Sequence, residues 1–414
     1  MDSDLIDMVN EAKEKYILHW NYRGLTEIPE AVKDVGGHVQ EVYLKWNKLS
    51  TLPPWIGNFT EVTNLYLYGN CIESLPVSLG NMCNLVVLDL SANQLKDLPS
   101  SLGSLKNLQS LLLNQNYIRS LPSSLKDLVS LRYLSLSGNQ FSALPGWLGS
   151  LPNLQELLVD NNSLEELPRR LTLSISLKVI SVCSNRLSYL PSNGFASSPH
   201  IRFDSNPYLN YLSLPVFYQQ LSKSEHFSNE ESADAMAYGC FRSNSTISKH
   251  KVSLTLTLVP GNSHNEHKEI RIELPRQLLV IHSHYENTTT SLWELSLRRI
   301  YSLRFQHILN ISLDQDQSHV FVSYKPISTQ SCLDKVDLLE SCILYNLTLD
   351  GPVSICMHNS CNEPIFTEAW VVFGAGRNTL GIPIMVMFCS HRCAAAFVES
   401  SNFTKANDLY RIQK

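Results

Sequence analysis

A pattern of leucines and asparagines returns every 23 residues along the middle of the chain. Each copy runs L-x-x-L-x-L-x-x-N-x-L, and a Leu-Pro pair follows three residues after the last apolar position. The asparagines that mark the copies are Asn47, Asn70, Asn93, Asn116, Asn139, Asn162 and Asn185. A fixed period restricts the fold strongly, because each copy must form the same small unit and stack on its neighbours.

Just before each asparagine, apolar residues alternate with other side chains, as at 42–44 (VYL) and 65–67 (LYL). Alternation at period two predicts a short strand with its leucines facing inward. Proline cannot join a central strand, so the Leu-Pro pair predicts that the chain then leaves the sheet. The asparagine amide should bind backbone groups left unpaired at that turn. This is the leucine-rich repeat signature, and we predict an α/β solenoid with one parallel strand per repeat.

The character of the sequence changes along the chain and divides it into five segments. We predict a helical capping segment at 1–16, the solenoid at 17–211 with an atypical last repeat ending at Asn206, and a polar linker at 212–250. An α+β unit at 251–350 and a smaller cysteine-bearing module at 351–400 follow. In the α+β unit, period-two stretches predict strands and helical periods predict helices. The predicted strands lie at 251–258, 269–274, 278–282 and 320–324, and the predicted helices at 291–305 and 336–345.

Composition argues against several classes of function. The net charge is −5 and basic residues are not concentrated anywhere, which argues against nucleic-acid binding. No stretch approaches the roughly 18 consecutive apolar residues that a membrane span needs. The first residues are charged, unlike a secretory signal, so we expect a cytoplasmic or nuclear protein with reduced thiols. No nucleophile and base stand in a catalytic pattern, and we predict that the protein is not an enzyme.

Outward-facing positions of the predicted strands carry aromatic side chains at the N-terminal end of the array. Tyrosines fall on neighbouring strands, Trp46 lies at their edge, and Trp20 comes one repeat earlier. Because exposed tyrosine and tryptophan are enriched at protein interfaces, we predict that this concave face binds a protein. The alternative is that the rings only shield the sheet or pack on the N-terminal cap. The residues predicted to bind the partner are Tyr43, Trp46, Tyr66, Tyr68, Asp89 and Leu112.

A second candidate binding site lies on the helix predicted at 291–305. Ser291 and Glu294 form a capping box, and Leu292, Ser296 and Ile300 then fall on one helix face. This spacing resembles the elongin-C-binding box of receptors for cullin-RING ubiquitin ligases. The resemblance implies that Leu292 enters a pocket of elongin C, that Ser296 allows close approach and that Ile300 supports the contact. The alternative is an amphipathic helix that covers a local core with Leu295 and Leu297. The cullin is left open.

Cysteines and a histidine near the C-terminus are spaced like the ligands of a zinc site. Cys361, Cys389 and Cys393 are three of the expected ligands, and the fourth is His358 or Cys356. We favour His358, because a two-residue gap to Cys361 makes the tighter turn. Two close pairs of soft ligands suit tetrahedral Zn²⁺ in a structural site, and apolar stretches at 370–373 and 382–388 predict the strands of a zinc ribbon. The alternative is a set of reduced, buried cysteines.

The order of these parts resembles a family of intracellular leucine-rich repeat adaptors that includes leucine-rich repeat-containing proteins 28 and 58. The most specific matches are 21–29 (NYRGLTEIP), 291–300, and 361–367 (CNEPIFT) with Cys389 and Cys393. His358 departs from the family, which has a cysteine there. The resemblance implies a non-catalytic adaptor. We expect a substrate receptor of an elongin B/C–cullin-RING ubiquitin ligase; the alternative is a scaffold in signalling or assembly with no ubiquitin role.

Overall fold

The computed structural model describes residues 3–217, 219, 253–258, 269–283, 286–305, 309–313, 320–324, 352–358, 361–376, 383–400 and 407–413. Contacts between residues divide the chain into two compact units. The first comprises Met1–Leu164, Ser174–Asn185 and Pro199–Phe203. The second comprises Glu165–Leu173, Arg186–Ser198 and Asp204–Lys414.

The first unit begins with helix α1 (Ser3–Glu14), as predicted, and continues as a nine-stranded sheet. Each strand pairs in parallel with the next one in sequence, from β1 to β9, so the predicted solenoid of stacked repeats is confirmed. The strands are β1 (Ile17–His19), β2 (Glu41–Tyr43), β3 (Asn64–Tyr66), β4 (Val87–Asp89), β5 (Ser110–Leu112), β6 (Tyr133–Ser135), β7 (Glu156–Leu158), β8 (Val179–Ser181) and β9 (His200–Arg202).

Asparagine side chains join consecutive repeats. The Nδ2 of Asn93 donates to the carbonyl oxygens of Leu67 and Leu90, both at 3.0 Å, and its Oδ1 accepts the Ile72 N–H at 3.0 Å. Asn47, Asn70, Asn116, Asn139, Asn162 and Asn185 make the equivalent bonds. The predicted role of these residues in satisfying turn backbone is therefore confirmed. Asn206 extends the series, since its Oδ1 accepts the Leu187 N–H at 3.0 Å.

The backbone is left-handed at one place in every repeat, directly before the joining asparagine or, in the first repeat, before Arg23. The φ angles there lie between 53° and 72°. Glycine, the residue that adopts this conformation without steric cost, stands only at positions 69 and 138 of the series. The other positions keep a side chain in this conformation: Tyr22, Trp46, Ala92, Gln115, Asn161, Ser184 and Ser205.

After six of the seven Leu-Pro pairs, from Leu52-Pro53 to Leu167-Pro168, the chain forms a short 3-10 turn on the outer side of the repeat, and none of these turns is an α-helix. The helical component of the array is therefore 3-10, apart from the cap α1. The turns are Pro54–Asn58, Val77–Asn81, Ser100–Ser104, Ser123–Asp127, Gly146–Ser150 and Arg169–Leu173, with Glu30–Val32 in the degenerate first repeat.

The second unit is built around a seven-stranded sheet with the order β10-β19-β18-β20-β11-β12, and β13 also pairs with β18. Its core holds the large aromatic side chains of Trp370, Phe373 and Phe388. Its described helices include α2 (Leu292–Phe305) and α3 (His391–Ser400). Its strands are β10 (Leu212–Ser213), β11 (Ser253–Leu258), β12 (Glu269–Glu273), β13 (Val280–Ser283), β14 (Leu309–Leu313), β15 (Val320–Tyr324), β16 (Ser354–Ile355), β17 (Pro364–Ile365), β18 (Glu368–Gly376), β19 (Pro383–Phe388) and β20 (Asn407–Gln413).

Several predicted elements of this unit are present. The strands expected near 251–258, 269–274, 278–282 and 320–324 correspond to β11, β12, β13 and β15, and the helix expected at 291–305 is α2. The first residues of the polar linker predicted at 212–250 are not a linker, because Leu212–Ser213 form β10 and pair with β19, and Leu214 and Val216 are buried. The rest of the predicted linker, from residue 220 onwards, and the predicted helix at 336–345 lie outside the described residues. Among the helices that the structure describes, none combines the length and the apolar character that crossing a membrane requires.

Candidate functional sites

Aromatic side chains line the concave face at its N-terminal end. The rings of His19, Tyr43 and Tyr66 stack in a row, with centroids 4.9 and 4.7 Å apart. A second row runs beside it: Tyr22 stacks with Trp46 at 6.4 Å, and Trp46 meets Tyr68 edge-on at 5.1 Å. We call these six residues the aromatic ladder. The structure thus brings together the tyrosines and Trp46 that the sequence singled out.

Charged groups accompany the aromatic ladder. The ammonium of Lys45 lies 4.4 Å from the centroid of the Tyr66 ring. The hydroxyl of Tyr43 donates to Glu41 at 2.7 Å, and this bond, with burial and the negative charge of Glu41, raises the pKa of Tyr43 to about 12. Asp89 is in register with Tyr66 and is buried, and its Oδ1 accepts the Ser91 N–H at 3.1 Å.

Trp20 follows the alternative in which an aromatic ring packs on the N-terminal cap. Trp20 is fully buried, because it occupies the inward position that Leu44 and Leu67 take in later repeats. Its Nε1 donates to Glu11 of α1 at 2.7 Å, so it helps to attach the cap. His19, which the sequence analysis overlooked, belongs to the ladder; its register with Tyr43 across β1 and β2 is the signal that could have revealed it. Leu112 is half-buried one strand beyond Asp89.

Helix α2 begins with only half of the predicted capping box. The Oγ of Ser291 accepts the Glu294 N–H at 3.3 Å, as expected. The Glu294 carboxylate, however, does not return to Ser291. Glu368 takes its place by accepting the Ser291 N–H at 2.7 Å, and Glu368 in turn bonds His282 at 2.8 Å.

The Glu294 side chain is instead fully buried beneath the helix. Its carboxylate accepts the backbone N–H groups of residues 366, 367 and 368 at 2.7 to 3.2 Å, and the hydroxyl of Thr367 at 2.9 Å. It also pairs with Nε of buried Arg298 at 3.0 Å. Arg298 donates from Nη2 to the Cys389 carbonyl at 3.1 Å, and Thr290 Oγ1 donates to the same oxygen at 3.3 Å. A network of charged and backbone groups therefore holds α2 in place. The sequence of the helix does not predict this network.

The opposite side of α2 is open. Leu292 is 80% exposed, whereas Leu295 and Trp293 are 47% and 44% exposed. Ser296 is exposed too, and its hydroxyl donates to the Leu292 carbonyl at 2.8 Å. The sequence alternative, in which Leu295 and Leu297 both enter a local core, is therefore wrong for Leu295; only Leu297 is buried. Ile300 belongs to α2, but its side chain lies outside the described residues.

Four cysteines of the second unit converge. The Sγ atoms of Cys356, Cys361, Cys389 and Cys393 all lie within 4.8 Å of one another. Sγ of Cys389 is 3.4 Å from that of Cys361 and 3.7 Å from that of Cys393. Sulfurs at the corners of a zinc tetrahedron with Zn–S bonds of about 2.3 Å would be about 3.8 Å apart. The sulfur positions and the donor type therefore fit a tetrahedral metal ion.

Local structure places each cysteine of the cluster. Cys356 directly follows β16, and its N–H donates to the Glu363 carbonyl at 2.8 Å, which closes the β16–β17 hairpin. Cys361 lies in the loop of this hairpin, between β16 and β17. Cys389 directly follows β19, and Cys393 lies in the first turn of α3, where its N–H donates to the capping Ser390 Oγ at 3.3 Å.

These positions revise two expectations. The fourth sulfur is that of Cys356, whereas His358, which we favoured, is not part of the cluster; in this turn its carbonyl accepts the Cys361 N–H at 3.0 Å. The strands predicted for a zinc ribbon are present as the antiparallel pair β18–β19. The second cysteine pair, however, sits at a strand end and on a helix rather than in a second hairpin turn, so a zinc ribbon is not confirmed.

The thiols of Cys356 and Cys361 differ in their pKa values. Hydrogen bonds from Cys356 and then Cys389 lower the pKa of the Cys361 thiol to about 2. The bond with Cys361, followed by that with Cys389 and by burial, raises the pKa of Cys356 above its ordinary range. Cys356 and Cys389 are buried, while Cys361 and Cys393 are half-buried. A metal ion would take the place of the thiol protons, because cysteines bind metals as thiolates.

Comparison with known proteins identifies the repeats. A family described as "Leucine rich repeat" matches residues 83–141, and one described as "Leucine Rich repeats (2 copies)" matches residues 129–170. No curated protein matches the chain significantly, so the finer resemblance to leucine-rich repeat-containing proteins 28 and 58 stays a prediction.

Among solved structures, the chain is similar to a leucine-rich repeat protein of Leptospira interrogans, with 25% identity and a TM-score of 0.44; the match covers 52% of this chain and 61% of that one. It is similar to the ectodomain of an Arabidopsis thaliana membrane receptor kinase, with 27% identity and a TM-score of 0.41, over 47% of this chain and 27% of that one. An internalin of Listeria monocytogenes has 25% identity and a TM-score of 0.40, over 45% and 86%. The two family matches lie within the array, and the repeats that carry β1–β9 form a solenoid of leucine-rich repeats.

Proposed function

We propose that this protein is a non-catalytic substrate receptor of an elongin B/C–cullin-RING ubiquitin ligase. In this proposal the concave face of the solenoid binds the substrate protein, and the exposed side of α2 binds elongin C. The first half is supported by the aromatic ladder, because aromatic side chains on rigid strands are typical anchors of protein interfaces. The second half is supported chiefly by the orientation of α2.

The exposure of Leu292 is the observation that carries the proposal. Successive residues of an α-helix are about 100° apart, so Leu292 and Ser296 lie roughly opposite the buried Glu294, Leu297 and Arg298. The helix thus buries charged groups and exposes leucines, the reverse of what an isolated surface helix does. An exposed apolar side on a helix that is firmly held from below is suited to a partner's groove.

Leu292→Ala tests the docking helix. We expect it to lower the affinity for purified elongin B/C by roughly 30- to 1,000-fold, since losing a hot-spot leucine costs roughly 2–4 kcal/mol. Surface plasmon resonance with the immobilised full chain measures this affinity. The melting temperature should not change, because an exposed side chain leaves no cavity.

Leu295→Ala is the matched control, because it removes the same side chain from a half-exposed position at the flank of the proposed docking surface. It should weaken binding much less. If wild-type protein does not bind elongin B/C at all, the ligase proposal fails, and the chain remains a leucine-rich repeat scaffold.

We further propose that the four-cysteine cluster holds a structural Zn²⁺. Its ligands would be Cys356, Cys361, Cys389 and Cys393, and the bound ion would join the β16–β17 hairpin to the start of α3. All four positions carry thiol ligands, which is typical of closed structural sites rather than catalytic ones.

Native mass spectrometry should find one zinc ion per chain. Cys389→Ser should abolish zinc binding, because the site loses a central ligand, and it should lower the stability of the second unit. Cys83→Ser, which changes an exposed cysteine of the array, should leave the zinc content unchanged. A wild-type chain that is purified with zinc present and still carries none would refute the proposal.

A further inference from the structure

The surroundings of the aromatic ladder indicate what kind of side chain it fits. The carboxylate of Glu41 lies at one side of the Tyr43–Tyr66 pair, and that of Asp89 follows Tyr66 on the next strand. Burial and the charges of these two carboxylates raise the pKa of Tyr66. The positive charge nearby is the ammonium of Lys45, which lies over the Tyr66 ring. The ladder therefore already attracts one cation, the Lys45 ammonium. The two carboxylates of Glu41 and Asp89 outnumber this single positive charge.

We propose that the aromatic ladder recognises an arginine side chain of the protein bound on the concave face. This inference rests on the proposed function, in which that face binds a protein. Aromatic ring faces attract cations through their quadrupole, and Lys45 is the intramolecular stand-in for the ligand. A guanidinium is planar, stacks on aromatic faces and is more weakly hydrated than an ammonium, so arginine suits this surface better than lysine.

Tyr22 and Trp46 supply the open part of this surface. Their rings are inclined by only 14°, and they are 74% and 49% exposed. A planar group can therefore stack on either ring.

The Trp46 ring is held in place before any ligand arrives. Its backbone N–H donates to the Tyr68 carbonyl at 2.8 Å, and its ring contacts the Tyr68 ring edge-on. The ring also lies against Gly69, where an added Cβ would be 2.8 Å from it. Because the ring is already ordered, little conformational entropy is lost on binding.

The probe is a labelled peptide of alternating arginine and glycine, titrated into the full chain and followed by fluorescence anisotropy. A peptide with citrulline in place of arginine has the same shape without the charge, and it should bind more weakly. Trp46→Ala should weaken binding of the arginine peptide by about two- to fivefold, the contribution of one exposed cation–π contact. Tyr117→Ala, which removes a half-exposed tyrosine outside the ladder, should have no effect.

Lys45→Met is the decisive variant. It removes the stand-in cation and should raise the affinity for the arginine peptide by about two- to fivefold, a gain that misfolding cannot produce. Equal binding of the citrulline peptide, tighter binding of a matching lysine peptide, or no gain in Lys45→Met would overturn the inference. A photoreactive residue in place of Ser137, farther along the concave face, separately tests whether any protein binds there. If it captures a protein while the arginine peptide fails, only the inference falls; if the peptide binds and nothing is captured, the proposed function is at fault.

Discussion

Glu294→Ala should lower the free energy of unfolding of the second unit by about 3–5 kcal/mol, the usual cost of removing one partner from a buried charge pair. The variant leaves the Arg298 guanidinium buried without its carboxylate. It also deprives the N–H groups of residues 366–368 and the Thr367 hydroxyl of their acceptor. Each such buried group that loses its hydrogen bond adds to the loss of stability.

Hydrogen exchange followed by mass spectrometry can assign this loss to one unit, because peptides from 366–376 and from 85–135 report on different units. Faster exchange is expected in the first peptides only. Glu363→Ala removes an exposed carboxylate from the neighbouring hairpin loop and should change neither. If Glu294→Ala and Glu363→Ala have equal effects, the buried network does not hold α2.

Asn93→Ala should strongly destabilise the array. It removes two donors and one acceptor from buried backbone at the turns of adjacent repeats. With roughly 1–3 kcal/mol for each unsatisfied buried group, the expected loss is about 3–6 kcal/mol of unfolding free energy. Because each repeat contacts only its neighbours, exchange should rise first in peptides around residues 67–93.

Asn107→Ala provides the comparison within the same part of the array. Its Nδ2 donates one exposed bond, to the Cys83 carbonyl at 2.9 Å. The expected loss is about 1 kcal/mol or less, since water replaces the lost partner. Urea unfolding of both variants measures the difference, and similar midpoints would show that the asparagine bonds contribute little to stability.

The array could be predicted from the sequence because its period repeats one local solution. Each leucine, proline and asparagine is informative by its position, and the same bonds recur from Asn47 to Asn185. The orientation of His19 and Trp20 could not be predicted in this way, because the first repeat is degenerate and only its register with β2 assigns inward and outward positions.

The second unit was predictable only in its local elements. Ser291 and Glu294 have the spacing of a capping box, and spacing cannot reveal that a residue distant in sequence, Glu368, would replace the Glu294 carboxylate at the cap. In the same way, gap length favoured His358, whereas the hairpin hydrogen bond of Cys356 decides which side chain faces the other cysteines. Contacts of this kind join residues that are distant in sequence, so no fixed spacing along the chain predicts them.

Two requirements conflict at the left-handed positions of the array: an unstrained backbone and a bulky exposed side chain. A non-glycine residue in this conformation costs roughly 1–2 kcal/mol, and bulky side chains are rare there. Yet Tyr22 and Trp46 stand at two of these positions, and both belong to the aromatic ladder. Replacing both residues with glycine would relax the backbone, but it would also remove their rings from the aromatic ladder. The stability of the scaffold and the preservation of the aromatic ladder therefore place opposite requirements on the same two residues.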